Sequence, residues 1–384
     1  MRTNYFLMIL AALLSLAGCK TEPDYHDVFY ISGTEDNPAV KLYVEKTAEM
    51  GVSVTSSGIA ESDVSITFGI DNDKVDYYNN VYGTNYQPLP AENYQLDAMS
   101  VTIKSGQHVS NPAKVSILSL DGLAEGVTYC IPLSIAAVEN GSGKVLEASR
   151  TKYIVIGQII NTKAAQMSPN YWTVDFSGDP SLRAVPQVTY EARIYVNKYN
   201  SKSSEVGIAT VMGMEENFIL RFGDSEINPD QLQIAKESYK VATSTGLPIR
   251  TWHHVAAVFD GTQYLLYWNG KLQGSTPVPY STLDFLITKN DHNRFKIGAS
   301  TQKNSRKLDA IISEVRVWKK ALTPNDMLNN MCYVNPTSDG LIAYWRFNGT
   351  NDNGNIPDLT GHGFDAKPNR TVTYVDGVKC PDVN

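Results

Sequence analysis

Apolar and polar residues alternate with period two through most of this chain. Val40, Leu42 and Val44 are followed by Val52 and Val54, then by Val64, Ile66, Phe68 and Ile70, then by Val101 and Ile103. Val115 and Ile117, Ile131, Leu133 and Ile135, and Tyr153 and Val155 continue the pattern. Short runs of this kind, separated by Gly, Asn, Asp and Ser, predict antiparallel strands with one buried face each. Pro132 removes a ladder donor, which predicts an edge position for its strand. One helix interrupts the series: Val75, Tyr78 and Tyr82 recur at helical spacing between Asp73, a capping residue, and Gly83, a stop. Tyr78 and Tyr82 are expected to pack that helix onto the sheet, with a sugar platform formed by the aromatics of this insertion as the alternative.

The alternation resumes in the second half with residues 188–196 (VTYEARIYV), and short strands follow at 218–222 and 232–234. Residues 252–271 (WHHVAAVFDGTQYLLYWNGK) read as strands punctuated by Asp260-Gly261 and Asn269-Gly270. Asx-Gly pairs between apolar runs suit type I′ turns, in which both central residues need positive φ. Further strands are predicted at 294–298, 310–318 and 341–347. Between the last two, Thr323-Pro324-Asn325-Asp326 starts a short helix expected to run through Met331: the Thr hydroxyl caps, Pro suits the first helical position, and Asp favours the N-terminus. The predicted class is all-β.

At 384 residues the chain has room for two domains, and the weakly patterned stretch 158–170 is the expected linker. Net charge is −7 and Lys and Arg form no run, which argues against a nucleic-acid partner.

At the N-terminus, Arg2, the apolar run 5–16 and Leu16-Ala17-Gly18-Cys19 resemble a bacterial lipoprotein signal peptide with its lipobox. The resemblance implies cleavage after residue 18, lipidation of Cys19 and a polar tether at 19–24, hence an exported lipoprotein on the outer membrane. Lys20-Thr21-Glu22-Pro23-Asp24 is similar to the surface-export signal of lipoproteins in Gram-negative glycan foragers. The face turned toward the periplasm is the alternative location.

Residues 25–157 carry Asp76-Tyr77-Tyr78-Asn79, Leu89-Pro90-Ala91-Glu92-Asn93-Tyr94, Val101-Thr102-Ile103-Lys104-Ser105-Gly106 and Tyr129-Cys130-Ile131-Pro132-Leu133-Ser134-Ile135. In that order they resemble an immunoglobulin-like domain found at the N-terminus of glycan-locus lipoproteins, which implies a β-sandwich acting as a spacer. Residues 171–384 carry four blocks: Trp252-His253-His254-Val255-Ala256 with Asp260-Gly261; Leu266-Tyr267-Trp268-Asn269-Gly270-Lys271; Ile312-Ser313-Glu314-Val315-Arg316-Val317-Trp318 with Ala321-Leu322-Thr323; and Tyr344-Trp345-Arg346-Phe347 with Asp358-Leu359-Thr360-Gly361-His362-Gly363. Together they resemble the laminin G-like branch of the concanavalin A-like lectin/glucanase superfamily. That implies a two-sheet jelly-roll β-sandwich of about fourteen strands.

Trp252, Trp318 and Trp345 alternate with polar neighbours and are read as core. His253 and His254 point to opposite faces of a strand and do not suit one metal ion. Glu314 and Arg316 are read as a surface pair. The superfamily's glucanases use E-x-D-x-E or E-x-D-x-x-E strands, and retaining hydrolysis needs carboxyl groups about 5–5.5 Å apart. No such strand occurs in residues 171–384, and the lone Glu61-Ser62-Asp63 lies in the first domain. Glycan binding remains, with a hydrolase of unusual carboxylates and a protein-binding adhesin as rivals. Other glycan-uptake proteins are expected as partners.

Aromatic faces with nearby amides and carboxylates recognise sugars. If Leu266 and Trp268 face the core, Tyr267 faces outward, and Tyr199, Tyr239, Tyr264 and Tyr280, with Asp291 and Asn293 in a loop, complete the candidate glycan-binding set. Asp352, Asn355 and Asp358 offer oxygen ligands for Ca²⁺, although their spacing matches no EF-hand and a solvated loop is the alternative. No cofactor is otherwise required. In an exported protein Cys332 and Cys380 are expected to pair, leaving Cys130 as a free thiol.

Overall fold

The computed structural model describes residues 27–287, 294–300 and 305–382. The expected signal peptide, tether and Cys19 lie outside the described residues, as do Asp291 and Asn293. The chain forms two compact units, the first ending at Gln158, with residues 123–126 grouped with the second. In both, strands far outnumber helices, as the alternation predicts.

In the first unit the largest sheet runs in the order Ala39–Val44, Thr151–Gln158, Tyr129–Glu139, Val64–Ile70 and Ser100–Ile103, with Gln87–Pro88 also paired to Tyr129–Glu139. Two three-stranded sheets complete it. Ile66, Phe68, Val101, Ile103, Ile131, Leu133 and Ile135 are buried, as their spacing requires. The helix Asp73–Tyr82 packs on the sheet through Val75 and Tyr78, against Cys130, Tyr153 and Val155. Asn72 rather than Asp73 is its N-cap, and Gly83 ends it in the left-handed region at φ 65°.

Pro132 is not at an edge, because its strand is central to the sheet. Tyr153, its partner on one side, donates its N–H away from it to Pro38 O at 2.8 Å. On the other side, pairing with Gln87–Pro88 stops at Cys130 and pairing with Val64–Ile70 starts at Leu133. The missing donor therefore falls in a gap between two neighbours, where no ladder bond is lost.

Residues 158–170 are not a linker. Ile160–Gln166 is a strand of the second unit, held between Asp309–Trp318 and Tyr374–Cys380. The eight-stranded sheet of this unit runs Lys271–Pro277, Gln263–Trp268, Trp252–Phe259, Val188–Lys198, Asp309–Trp318, Ile160–Gln166 and Tyr374–Cys380, with Leu341–Trp345 also paired to Asp309–Trp318. The seven-stranded sheet runs Tyr239–Ala242, Leu232–Lys236, Phe218–Phe222, Ala209–Met214, Phe295–Ile297, Trp172–Val174 and Lys367–Pro368. One core fills the space between the sheets, with Trp172, Tyr190, Phe218, Phe222, Phe259 and Trp345 fully buried.

In the hairpin region only the second turn has the expected form, with Asn269 at φ 48° and Gly270 at φ 71°. A Cβ on Gly270 would also lie 2.6 Å from Leu328, so the position excludes a side chain twice over. At the first turn Asp260 acts through its side chain, its Oδ1 accepting from the N–H groups of Thr262 and Gln263.

The helix Pro324–Asn329 starts as expected, with reciprocal hydrogen bonds between Thr323 and Asp326, and ends two residues before Met331. It belongs to a roof over the outer face of the eight-stranded sheet. Trp318, Leu322, Met327, Val334, Leu341 and Tyr344 pack there against Ala256, Val258 and Tyr267.

A disulfide joins Cys332, behind the roof helix, to Cys380 in the last strand, across 48 residues, and Cys130 is free and buried. In the chain-entropy description, closing a loop of that length contributes about 4 kcal/mol. The double variant Cys332→Ser/Cys380→Ser is expected to lose about that much stability in denaturant titrations under non-reducing conditions. An unchanged midpoint would show that the roof does not depend on the bond.

Candidate functional site

The second unit sets two polar systems on the outer faces of its two sheets, one sealed and one largely buried but bordered by surface depressions. The sealed system begins with residues 188–198 and 309–318, whose inward positions fill the core and whose alternate positions carry Glu191, Arg193, Glu314 and Arg316. A bulge after Ser313, with Glu314 at φ 52°, keeps Ser313, Glu314 and Arg316 on one face. The roof covers that face, so Glu314 and Arg316 are buried and are not the expected surface pair.

Glu191 Oε1 meets His254 Nε2 at 3.0 Å, and its Oε2 accepts from Trp318 Nε1 at 2.7 Å. Arg316 donates to Glu314 at 2.9 Å and lies 3.7 Å from Glu191, while Arg346 Nε donates to Glu314 Oε1 at 3.1 Å and the Tyr344 hydroxyl donates to Oε2. Burial alone would raise the pKa of Glu191, but the His254 hydrogen bond, the charge of Arg316 and the Trp318 N–H outweigh it and hold it below the usual range. His253 serves another contact: its Nε2 reaches Pro248 O at 2.7 Å, its Nδ1 accepts from Trp268 Nε1, and burial lowers its pKa. The two histidines are structural and share no ligand.

This network brings two carboxylates together, but no surface leads to them: the side chains of Glu191 and Glu314 are 0% and 3% exposed. It holds the sheet to the roof. Replacing Glu314 by Ala leaves Arg316 with only the more distant Glu191, and loss of one partner of a buried ion pair costs about 3–5 kcal/mol. Glu314→Ala is expected to show that loss in thermal or denaturant unfolding. A change below 1 kcal/mol would mean that the network is solvated.

The second system lies on the outer face of the seven-stranded sheet, where Thr210, Arg221, Gln233, Glu215 and Asp224 are buried. Register places Thr210, Arg221 and Gln233 side by side on three adjacent strands. Arg221 donates to Glu215 at 3.1 Å and to Asp224 at 2.8 Å, and Lys240 reaches the same Asp224 oxygen at 2.8 Å. Arg306 then joins Glu215, at 2.9 Å, to Glu205, at 3.4 Å. The result is an alternating chain of six charges, Lys240, Asp224, Arg221, Glu215, Arg306 and Glu205. Burial of Asp224 opposes ionisation, but Lys240, the Ser225 N–H and Arg221 overcome it and bring its pKa down to about 2.

The chain of charges runs between two depressions. At the Lys240 end a hollow of about 150 Å³ is lined by Glu215, Glu216, Ile219, Arg221, Lys236 and Glu237 among others. At the Glu205 end a larger cavity of about 700 Å³ is lined by Lys198, Tyr199, Asn200, Ser201, Ser204, Glu205, Arg306, Lys307 and Asp309, with Ser168 and Ser305. Its wall is fixed from below: Asn200 Nδ2 donates to Ile208 O and Lys307 O, Asn197 Nδ2 to Asp309, and the Tyr199 hydroxyl to Leu247 O. Hydroxyls, carboxylates, ammonium groups and a guanidinium thus face one concave, open space.

The expected glycan-binding residues fall in different places. Tyr199 lines the large cavity, but its ring packs on Phe222 with centroids 5.1 Å apart. Tyr239, Tyr264 and Tyr280 come together, with Tyr264 fully buried and its hydroxyl bonded to that of Tyr280, and with Lys236 Nζ 3.8 Å above the Tyr280 ring. The Tyr280 face is therefore occupied. Tyr267 does leave the inner core, as alternation requires, but the roof buries it to 6% exposure.

The residues expected as calcium ligands are engaged or exposed. Asp358 uses both oxygens to accept from Tyr344 N, Thr360 N, the Thr360 hydroxyl and Phe364 N. Asn355 N bonds to Asn351, and Asp352 stands exposed. Among the described residues no group of three or more His, Cys, Asp or Glu side chains is placed to hold a metal ion. Sequence reasoning missed the charge chain, whose one local signal is Arg221 inside the apolar run 218–222 (FILRF).

This architecture agrees with known families. A laminin G-type model of the Concanavalin A-like lectin/glucanases superfamily matches residues 170–327, and a model for an N-terminal domain matches residues 24–142. The second unit is a concanavalin A-like domain. No curated protein matches the chain. Among solved structures, a Bacteroides ovatus protein described as an inferred carbohydrate-binding protein is 27% identical, with TM-score 0.59, over 91% of this chain and 97% of that one. The CBM40 of a Ruminococcus gnavus sialidase is 15% identical over 44% of this chain and 96% of that one, with TM-score 0.34. Domain 4 of an arabinanase from Geobacillus stearothermophilus is 15% identical over 38% and 66%, with TM-score 0.30.

Proposed function

We propose that the protein binds carbohydrate in the large cavity of its second unit, as an exported lipoprotein that captures poly- or oligosaccharide. The observation that carries this reading is the cavity of about 700 Å³, where Ser201, Ser204, Lys198, Glu205 and Asp309 offer both donors and acceptors. Hydroxyl-rich ligands match such a mixed lining. Membership of the second unit in a lectin-containing superfamily and the likeness to the Bacteroides ovatus protein support the same ligand class.

The test is a glycan array probed with the wild-type chain and with Ser201→Trp, which places an indole in the cavity from an exposed position. Binding by the wild type and at least tenfold weaker binding by the variant is expected. Equal binding by both would move the site elsewhere.

The lipoprotein reading rests on Leu16-Ala17-Gly18-Cys19. Labelling with a palmitate analogue in a Gram-negative host is expected to mark the wild type and not Cys19→Ser. Equal labelling, or none, would overturn it.

A further inference from the structure

The charges that line the large cavity do not all cancel. The chain of charges from Lys240 to Glu205 alternates three cations with three anions and is neutral as a whole. Arg306 and Glu205, which it contributes to the cavity wall, are therefore balanced within it. What remains on the wall is Lys198, Lys307 and Asp309, two cations against one anion.

Asp309 gives one carboxylate oxygen to Asn197 Nδ2, at 3.0 Å. Lys198 stands directly opposite Asp309 in the strand ladder, just past a register shift, yet no ion pair joins them among the described residues, and Lys198 is exposed. Lys307 donates to Pro169 O at 2.9 Å and lies 5.4 Å from the Tyr171 ring, partners that carry no charge. Partial burial, and after it the positive charge of the exposed Arg370, draw the Lys307 pKa down. Two cations thus approach each other beside the cavity with no carboxylate paired to either among the described residues. In a chain of net charge −7, positive charge is left uncompensated at one concave place.

We propose that the ligand of this cavity is an acidic glycan, whose carboxylate or sulfate group is held by Lys198 and Lys307 while its hydroxyls meet Ser201 and Ser204. The inference rests on the reading of the cavity as a carbohydrate site and narrows the ligand within it. A neutral sugar would satisfy the hydroxyls and carboxylates of the wall and leave both ammonium groups without a counter-charge. A hydrogen bond between an ammonium and an anion is stronger than one between neutral groups, and in an open cavity it is screened by salt. Lysine supplies a point charge without the fixed fork of arginine, which suits a carboxylate and a sulfate ester alike.

The test is biolayer interferometry of the full chain on immobilised polygalacturonate, which carries carboxylates, κ-carrageenan, which carries sulfate esters, and the neutral galactomannan and arabinan. The wild type is compared with Lys198→Gln/Lys307→Gln, Lys198→Arg/Lys307→Arg and Ser201→Trp. A further variant, Lys46→Gln/Lys144→Gln, removes the same charge from two exposed positions of the first unit. Melting curves confirm that each is folded. The wild type is expected to bind at least one acidic glycan, and the support that binds identifies the charged group. That binding is expected to weaken at least tenfold in Lys198→Gln/Lys307→Gln and when NaCl rises from about 0.05 M to about 0.5 M. It should be lost in Ser201→Trp and kept by the arginine pair and by Lys46→Gln/Lys144→Gln.

Binding to neutral glycans alone, lost in Ser201→Trp, overturns the proposal and leaves the carbohydrate reading of the cavity standing. Acidic-glycan binding that survives Lys198→Gln/Lys307→Gln, or that falls equally in Lys46→Gln/Lys144→Gln, also overturns it. Acidic-glycan binding kept by Ser201→Trp moves the site elsewhere and overturns both. No binding to any of the four polysaccharides overturns the proposal and counts against the carbohydrate reading with it.

Discussion

The second unit depends on the pairing of charges beneath its roof. Strands Val188–Lys198 and Asp309–Trp318 lie side by side at the centre of the eight-stranded sheet with both faces covered. Glu191, Glu314 and Arg316 cannot reach water from there, and an unpaired charge in such a place would cost several kcal/mol. Their mutual bonds, with those of His254, Trp318, Tyr344 and Arg346, let a polar strand face be enclosed at all.

The same pairing marks where a sequence stops being legible. In VTYEARIYV the alternation identifies which side chains share a face, and Tyr190, Ala192, Ile194 and Val196 do fill the core. The pattern is silent on what lies over the polar face. That cover comes from residues 318–345, more than a hundred positions beyond this strand, and their folding back over the sheet is a tertiary event that no local pattern shows, so Glu314 and Arg316 read as surface and Tyr267 as an exposed ring. Local devices were readable: the capping box at Thr323, the turn at Asn269-Gly270, the pairing of Cys332 with Cys380. Pro132 and residues 160–166 were misplaced for one reason, that a strand's position in a sheet is set by its neighbours.

The candidate site shows this limit more sharply. Its charge chain joins Glu215 to Arg306, 91 residues apart, through the neighbouring position of the strands and loops that carry them. Composition and spacing cannot present such a pair. The tyrosines, being conspicuous in sequence, were read as ligand contacts in the second unit, where most are packed. The conspicuous rings that do face outward are on the helix Asp73–Tyr82 and its neighbouring strand.

The bond between Cys332 and Cys380 has a mechanical meaning as well as a thermodynamic one. Tyr374–Cys380 pairs with Ile160–Gln166, through which the second unit is joined to the chain before it. Tension drawn through that junction loads the ladder along the strand, between Asp309–Trp318 on one side and a strand clamped to the roof on the other. Under the lipid anchor and the polysaccharide ligand proposed above, tension of this kind would arise in moving fluid. The crosslink sits where the pull enters, so the terminal strand cannot peel away before the sheet itself yields.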